Sequence, residues 1–191
     1  MGGLRAGQIP SMTTLITARI GLGAAAALML AAGTALADGA PLDQETGIRA
    51  GSGAHFDNFE LYYRRAAPWI EAQLVDPWLP EGVQARWDVT LGYWDGHGGG
   101  NAFAALGPVL EFGWSTDWRL SLGVQPTLIS EHDGNGRDLG GPLQFTSHLA
   151  VTWAPPGALV VGLRIQHTSN SRLYDSNPGV DIVAAEVGYG F

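Results

Sequence analysis

The fold class this sequence predicts is all-β: an eight-stranded antiparallel transmembrane β-barrel with a polar interior. Three observations predict it. Eight segments alternate apolar and polar residues with period two, each close to the 9–11 residues that cross a bilayer when a strand is tilted. The charges in the middle of these segments fall on one face only. Beyond a leader-like N-terminus, the 191-residue chain holds no run of about 20 apolar residues, which excludes a helical span.

The leader comes first in the chain. Residues 1–37 contain Arg5 and Arg19 and no acidic residue, then an apolar run over residues 20–32, then Ala35-Leu36-Ala37. This is the layout of a secretory signal cut after Ala37. Met12 offers an alternative start with a shorter positive region, and the apolar run is short for a membrane anchor. The expected division is therefore a signal peptide at 1–37 and one outer-membrane barrel domain at 38–191. That domain carries all 18 acidic residues and eight of the ten arginines, a formal charge of −10, and the chain has no lysine. An acidic exported domain without a basic patch excludes nucleic acid as a partner. The chain has no cysteine, so neither a disulfide framework nor a thiolate metal site is available.

The strands are expected near 45–53, 56–66, 82–95, 101–115, 117–131, 142–154, 158–169 and 180–191. In the third, Val83, Ala85, Trp87, Val89, Leu91 and Tyr93 alternate with Gln84, Arg86, Asp88, Thr90 and Gly92. The fifth sets Trp118, Leu120, Leu122 and Val124 against Arg119, Ser121, Gly123 and Gln125, and the sixth sets Leu143, Phe145, Leu149, Val151 and Trp153 against Gln144, Thr146, His148 and Thr152. The polar faces hold Glu60, Arg64, Arg86, Asp88, Glu111, Arg119, Arg164 and Glu186, four arginines against four carboxylates. A soluble sandwich or lipocalin-like barrel would expose these charges and bury the apolar faces. A membrane barrel turns them into its lumen. The signal sequence, the tryptophans and tyrosines near strand ends, and Phe191 after Tyr189 favour the membrane. Residues 66–82 read as a long periplasmic turn or a short interfacial helix. The loops over 97–100 and 131–141 are glycine- and aspartate-rich, with neither phosphate-binding nor calcium-loop spacing.

The last two strands carry the chemistry. From Val161, one face reads Val161, Leu163, Ile165, His167 and Ser169; after a turn-rich connection the returning strand presents Asp181, Val183, Ala185, Val187, Tyr189 and Phe191. A hairpin gathers serine, histidine and carboxylate at one end of one apolar surface, the three groups of an activated-serine hydrolase. The parity points His167 and Ser169 toward lipid, where an isolated histidine would be costly. As ordinary strand-end residues they would instead sit in the headgroup layer. His148 has inward parity and reads as a lumen residue, while His55, His97 and His132 form no metal-ligand pattern.

The same stretch, H-x-S-N from His167, with asparagine ten positions on, glycine at twelve and a carboxylate at fourteen, closing on an aromatic terminus, resembles the outer-membrane lipid A 3-O-deacylases of the PagL family. The resemblance is densest over residues 162–191. It implies a carboxylic ester hydrolase with Ser169 as nucleophile, His167 as general base and Asp181 as the orienting carboxylate. Asn177 and Asn170 match the family's motif asparagines, Asn177 as oxyanion donor or as the turn residue before Pro178-Gly179. The implied substrate is lipid A in the outer leaflet of a Gram-negative outer membrane, with no cofactor, and the resemblance allows a homodimer that no sequence feature shows. A non-catalytic structural or adhesion barrel retaining the motif is the alternative. Two departures stand out: Asp181 where the family usually has glutamate, and Arg172 where it usually has a glycine-type residue. The arginine either crowds the site or binds a lipid A phosphate.

Overall fold

The computed structural model describes residues 43–191 apart from 76, 81, 97–98, 114, 116, 134–136 and 156–158; the expected signal sequence lies outside the described residues. Eight strands follow one another around a closed antiparallel barrel: β1 (Gln44–Ser52), β2 (Phe56–Ala66), β3 (Val83–Gly96), β4 (Gly99–Gly113), β5 (Trp118–Ile129), β6 (Leu143–Trp153), β7 (Leu159–Ser169) and β8 (Val180–Gly190). β1 closes on β8, with Ile48 opposite Val187 and Arg49 opposite Glu186. Closure leaves no strand edge unpaired, the condition for placing a sheet in hydrocarbon.

Alternation decides which side chain goes where. Leu91, Leu106, Val124, Leu128, Leu149, Leu163, Ile165 and Val183 form an exposed apolar belt, with Trp87, Trp118 and Trp153 exposed toward the end where β1 begins and β8 finishes. The opposite faces are buried and polar. Arg49 bonds Asp88 at 2.7 Å, Glu60 at 3.0 Å and Glu186 at 3.0 Å, and Arg64 bonds Asp88 at 2.9 Å and Glu45 at 3.3 Å. Arg86 pairs with Glu111 at 3.3 Å. Arg164 donates to Gln166, whose amide donates on to Glu60. The lumen thus holds the eight charges expected from the sequence and two more on β1, Arg49 and Glu45. Toward the outer end the filling turns apolar, where Phe56, Trp94, Phe103, Ile129, Leu139, Val180 and Ile182 pack together. Gly92 makes room there, since a Cβ on it would lie 2.2 Å from the Phe103 ring.

The segment after β2 takes the second of its two expected forms. One helical turn, α1 (Pro68–Ile70), runs into a π-helical turn over Glu71–Val75. Ala67, Ile70 and Val75 cover Val83 and Ala85 on the outer wall of the barrel, beside Leu110 and Phe112. Trp69, Leu74 and Trp78 stay exposed.

Candidate active site

The start of β1 and the end of β8 lie at one end of the barrel, where Gln44 and Phe191 exchange backbone hydrogen bonds. The β7–β8 connection is at the other end. With an N-terminus on the periplasmic side, that far end is the cell surface.

His167 and Asp181 are direct partners in the β7–β8 ladder, so their side chains stand side by side on the outer face. His167 Nδ1 lies 2.7 Å from Asp181 Oδ1. A carboxylate can only accept, so Nδ1 carries the proton and Nε2 presents a lone pair. Because residue 181 sits directly opposite 167, an aspartate reaches the ring without the extra methylene of a glutamate. Asp175, the carboxylate in the loop of this hairpin, is exposed and has no bond to the ring among the described residues. The pair is open to its surroundings, the histidine side chain 50% and the aspartate 85% exposed.

Ser169 follows His167 by two residues on the same face and lies opposite Phe145 of β6. Backbone positions two apart on one strand are roughly 6.5–7 Å apart, within reach of a ring and a hydroxyl turned toward each other. No hydrogen bond joins Ser169 to His167 among the described residues; catalytic contacts of this kind often tighten only when substrate is bound. Below the pair, an open groove of about 410 Å³ runs down the outer wall, lined by Ser147, Leu149, Ile165, His167, Asp181 and Val183. Leu149, Ile165 and Val183 lie side by side across β6, β7 and β8, which joins the polar head of the groove to the lipid-facing belt.

The loop over residues 170–179 is held by its asparagines. Asn170 is fully buried; its Nδ2 donates to Leu139 O at 2.8 Å and Ser176 O at 2.6 Å, and its Oδ1 accepts from Arg172 N at 2.9 Å. Asn170 therefore supports the loop with its whole side chain. Asn177 Oδ1 accepts from Asn170 N at 3.0 Å, which places the Asn177 amide beside the peptide bond that follows Ser169. Its Nδ2 makes no hydrogen bond to any described residue. The pinned loop forces Ser171 and Arg172 to φ values of 52° and 68°, a left-handed conformation that costs a non-glycine residue about 1–2 kcal/mol.

Gly179, the motif's glycine twelve positions after His167, sits at φ 68° against the His167 imidazole: a Cβ there would stand 2.8 Å from His167 Cε1 and 3.4 Å from Nε2. One contact had no signal in the sequence. Arg137, from the β5–β6 loop, donates to Pro178 O at 3.2 Å and braces the same turn. His148 is buried with inward parity, as expected, and His132 sits 3.5 Å from Asp138 in its loop.

The comparisons with known proteins bear on this arrangement. The family model for lipid A 3-O-deacylase (PagL) matches residues 57–190. The chain belongs to the lipid A 3-O-deacylase (PagL) family. A lipid A deacylase PagL of Bordetella bronchiseptica is 28% identical over 170 residues, 85% of this chain and 92% of that protein. Among solved structures, the outer-membrane enzyme PagL is similar with a TM-score of 0.61 at 19% identity, over 75% of this chain and 97% of the other. A de novo designed transmembrane β-barrel is similar with a TM-score of 0.51 at 12% identity, over 80% and 98%. The designed barrel shares the architecture alone. The PagL-family match, by contrast, runs through the hairpin that carries His167, Ser169 and Asp181, and a family member with a closed barrel and an apolar belt is an outer-membrane protein.

Proposed function

We propose that this PagL-family barrel is a serine-type lipid A 3-O-deacylase acting from the outer leaflet, after removal of residues 1–37. The observation that carries the reading is the 2.7 Å His167–Asp181 contact on the lipid-facing wall, two residues from Ser169. A histidine and a carboxylate placed among lipid-facing side chains cost free energy as scaffold. As a base for a serine whose substrate is itself a lipid, they are well placed.

The chemistry follows from the tautomer. With Nδ1 held by Asp181, Nε2 takes the Ser169 hydroxyl proton as Oγ attacks the carbonyl carbon of the 3-O-acyl ester. The new C–O bond pushes the carbonyl electrons onto oxygen, and the Asn177 amide is the donor available beside Ser169 to stabilise that oxyanion. Collapse breaks the bond to the sugar oxygen, which takes the proton from His167. Water then gives a proton back to Nε2, attacks the acyl-enzyme, and frees a 3-hydroxy fatty acid while Ser169 regains its hydrogen. Asp181 stays ionised and stabilises the imidazolium formed in both halves. Leu149, Ile165 and Val183 give the departing acyl chain an apolar path from headgroup depth into the hydrocarbon. Every group in the scheme comes from one copy of the chain, so a homodimer would add nothing to the chemistry.

The test uses refolded protein in neutral detergent with purified lipid A. Release of one 3-hydroxy fatty acid per lipid A by the wild type, and none by Ser169→Ala, supports the reading. No release by correctly folded wild type favours a structural or adhesion barrel instead.

A further inference from the structure

The outer end of the barrel is almost without positive charge. Its loops carry Glu131, Asp133, Asp138 and Asp175, and the only arginines in the connections at that end are Arg137 and Arg172. Both flank the catalytic hairpin. Arg172 is the third residue after Ser169, and Arg137 is anchored to Pro178 O, one residue from the glycine that underlies the His167 ring. Arg172 is exposed, and no described residue pairs with its guanidinium. The backbone at Arg172 is left-handed with its N–H fixed by Asn170, a conformation for which glycine would be the unstrained choice. An arginine at a conformational cost, its guanidinium unpaired among the described residues and three positions after Ser169, is placed to meet an anion.

We propose that Arg172 and Arg137 form a phosphate-binding subsite that receives a phosphate monoester on the sugar headgroup of the acylated substrate. The proposal rests on the reading of the substrate as lipid A, a phosphorylated glycolipid, and adds the contact that seats its headgroup over the triad. A guanidinium fork matches two phosphate oxygens at once, and its delocalised charge suits a site only partly screened from water. Arg137 supplies the fixed half, since its tie to Pro178 leaves the rest of the fork free. Arg172 supplies the half that closes on the ligand. Among the described residues Asp138 is paired with neither arginine: its Oδ1 accepts from the Gly140 amide and lies 3.5 Å from His132 Nδ1.

The experiment measures kcat and KM on bisphosphorylated lipid A and on enzymatically dephosphorylated lipid A, in neutral detergent, for the wild type, Arg172→Gly, Arg172→Lys and Arg137→Gln. Arg172→Gly relieves the backbone and removes only the side chain, so misfolding does not confuse the result. Its expected effect is a KM about tenfold higher on the phosphorylated substrate with little change in kcat, the size of one charge-assisted contact. Arg172→Lys recovers part of that loss. On the dephosphorylated substrate the wild type and Arg172→Gly should share one KM. Equal KM values for the wild type and Arg172→Gly on the phosphorylated substrate would overturn the subsite. So would a defect of the same size on dephosphorylated lipid A, or one that appears there only when anionic phospholipid is added, because the phosphate would then not be the substrate's. If the wild type cleaves neither substrate, the lipid A reading itself fails, which is a separate result.

Discussion

Two side-chain contacts to aspartate in this molecule have the same length and opposite surroundings. Arg49 and Asp88 meet at 2.7 Å in the lumen with both side chains fully buried, and His167 and Asp181 meet at 2.7 Å on the outer wall with the histidine half exposed and the aspartate largely so. The buried pair belongs to a network in which each charge answers several others, and the eight strands depend on it for a filled interior. The side chains of the outer pair hydrogen-bond only to each other among the described residues. On the proposed mechanism the inner contact serves the scaffold and the outer one the chemistry, and substitutions should separate fold from activity according to which side of the wall they strike.

The largest effects on activity should come from the outer face with no loss of fold. Ser169→Ala and His167→Ala are each expected to lower deacylation by at least about 10⁴-fold, while the refolded barrel keeps its heat-modifiable migration. A variant that also failed to refold would erase the separation. Asp181→Asn should follow, at about 10²–10⁴-fold, because an amide no longer enforces the tautomer or stabilises the imidazolium; Asp181→Glu should recover most of the rate. If Asp181→Ala matches the wild type while Ser169→Ala is inactive, Asp175 becomes the carboxylate to test.

The lumen should show the reverse. Arg49→Ala leaves Glu60, Asp88 and Glu186 without their shared partner, and removing one member of a buried network of this kind costs about 3–5 kcal/mol. The urea midpoint of the refolded barrel measures it, and turnover per folded molecule should be unchanged. An Arg49→Ala barrel as stable as the wild type would contradict the role given to the network. A smaller effect is expected at Gly179→Ala, where a left-handed φ and a Cβ only 2.8 Å from His167 Cε1 displace the ring. Turnover should fall about tenfold for a stability loss of about 1–2 kcal/mol, read from kcat and urea midpoint together.

Strand positions were legible because period two survives wherever side chains are large on one face and polar on the other. All eight expected strands fall within two residues of the observed ends. The facing of His167, Ser169 and Asp181 followed from the same parity. β1 was the exception. Its lumen side carries Gly47 and Gly51 beside Glu45 and Arg49, and those glycines are required because a Cβ on Gly47 would strike Val187 O at 2.3 Å and the Tyr62 ring. A face half made of glycine shows no period, so the most connected arginine of the lumen went unread. The apolar plug around Trp94 and Phe103 was hidden for a related reason: at the strand tips the pattern reverses, with Phe56, Trp94 and Val180 inward and Asp57, Asp95 and Asp181 outward, so a polar-inside reading does not extend to them. Loop contacts were beyond reach for a third reason. Asn170 with Leu139 and Arg137 with Pro178 join residues 31 and 41 apart, and no local pattern encodes which loops meet once a barrel has closed.

The measurement that bears most directly on the outward-facing triad is mass spectrometry of lipid A from an expressing Gram-negative host, with wild type and Ser169→Ala present at equal levels as folded outer-membrane barrels. The expected result is lipid A lighter by one 3-hydroxyacyl chain with the wild type and unmodified lipid A with Ser169→Ala. Identical spectra from the two strains, whether both modified or both intact, would contradict a catalytic role for Ser169.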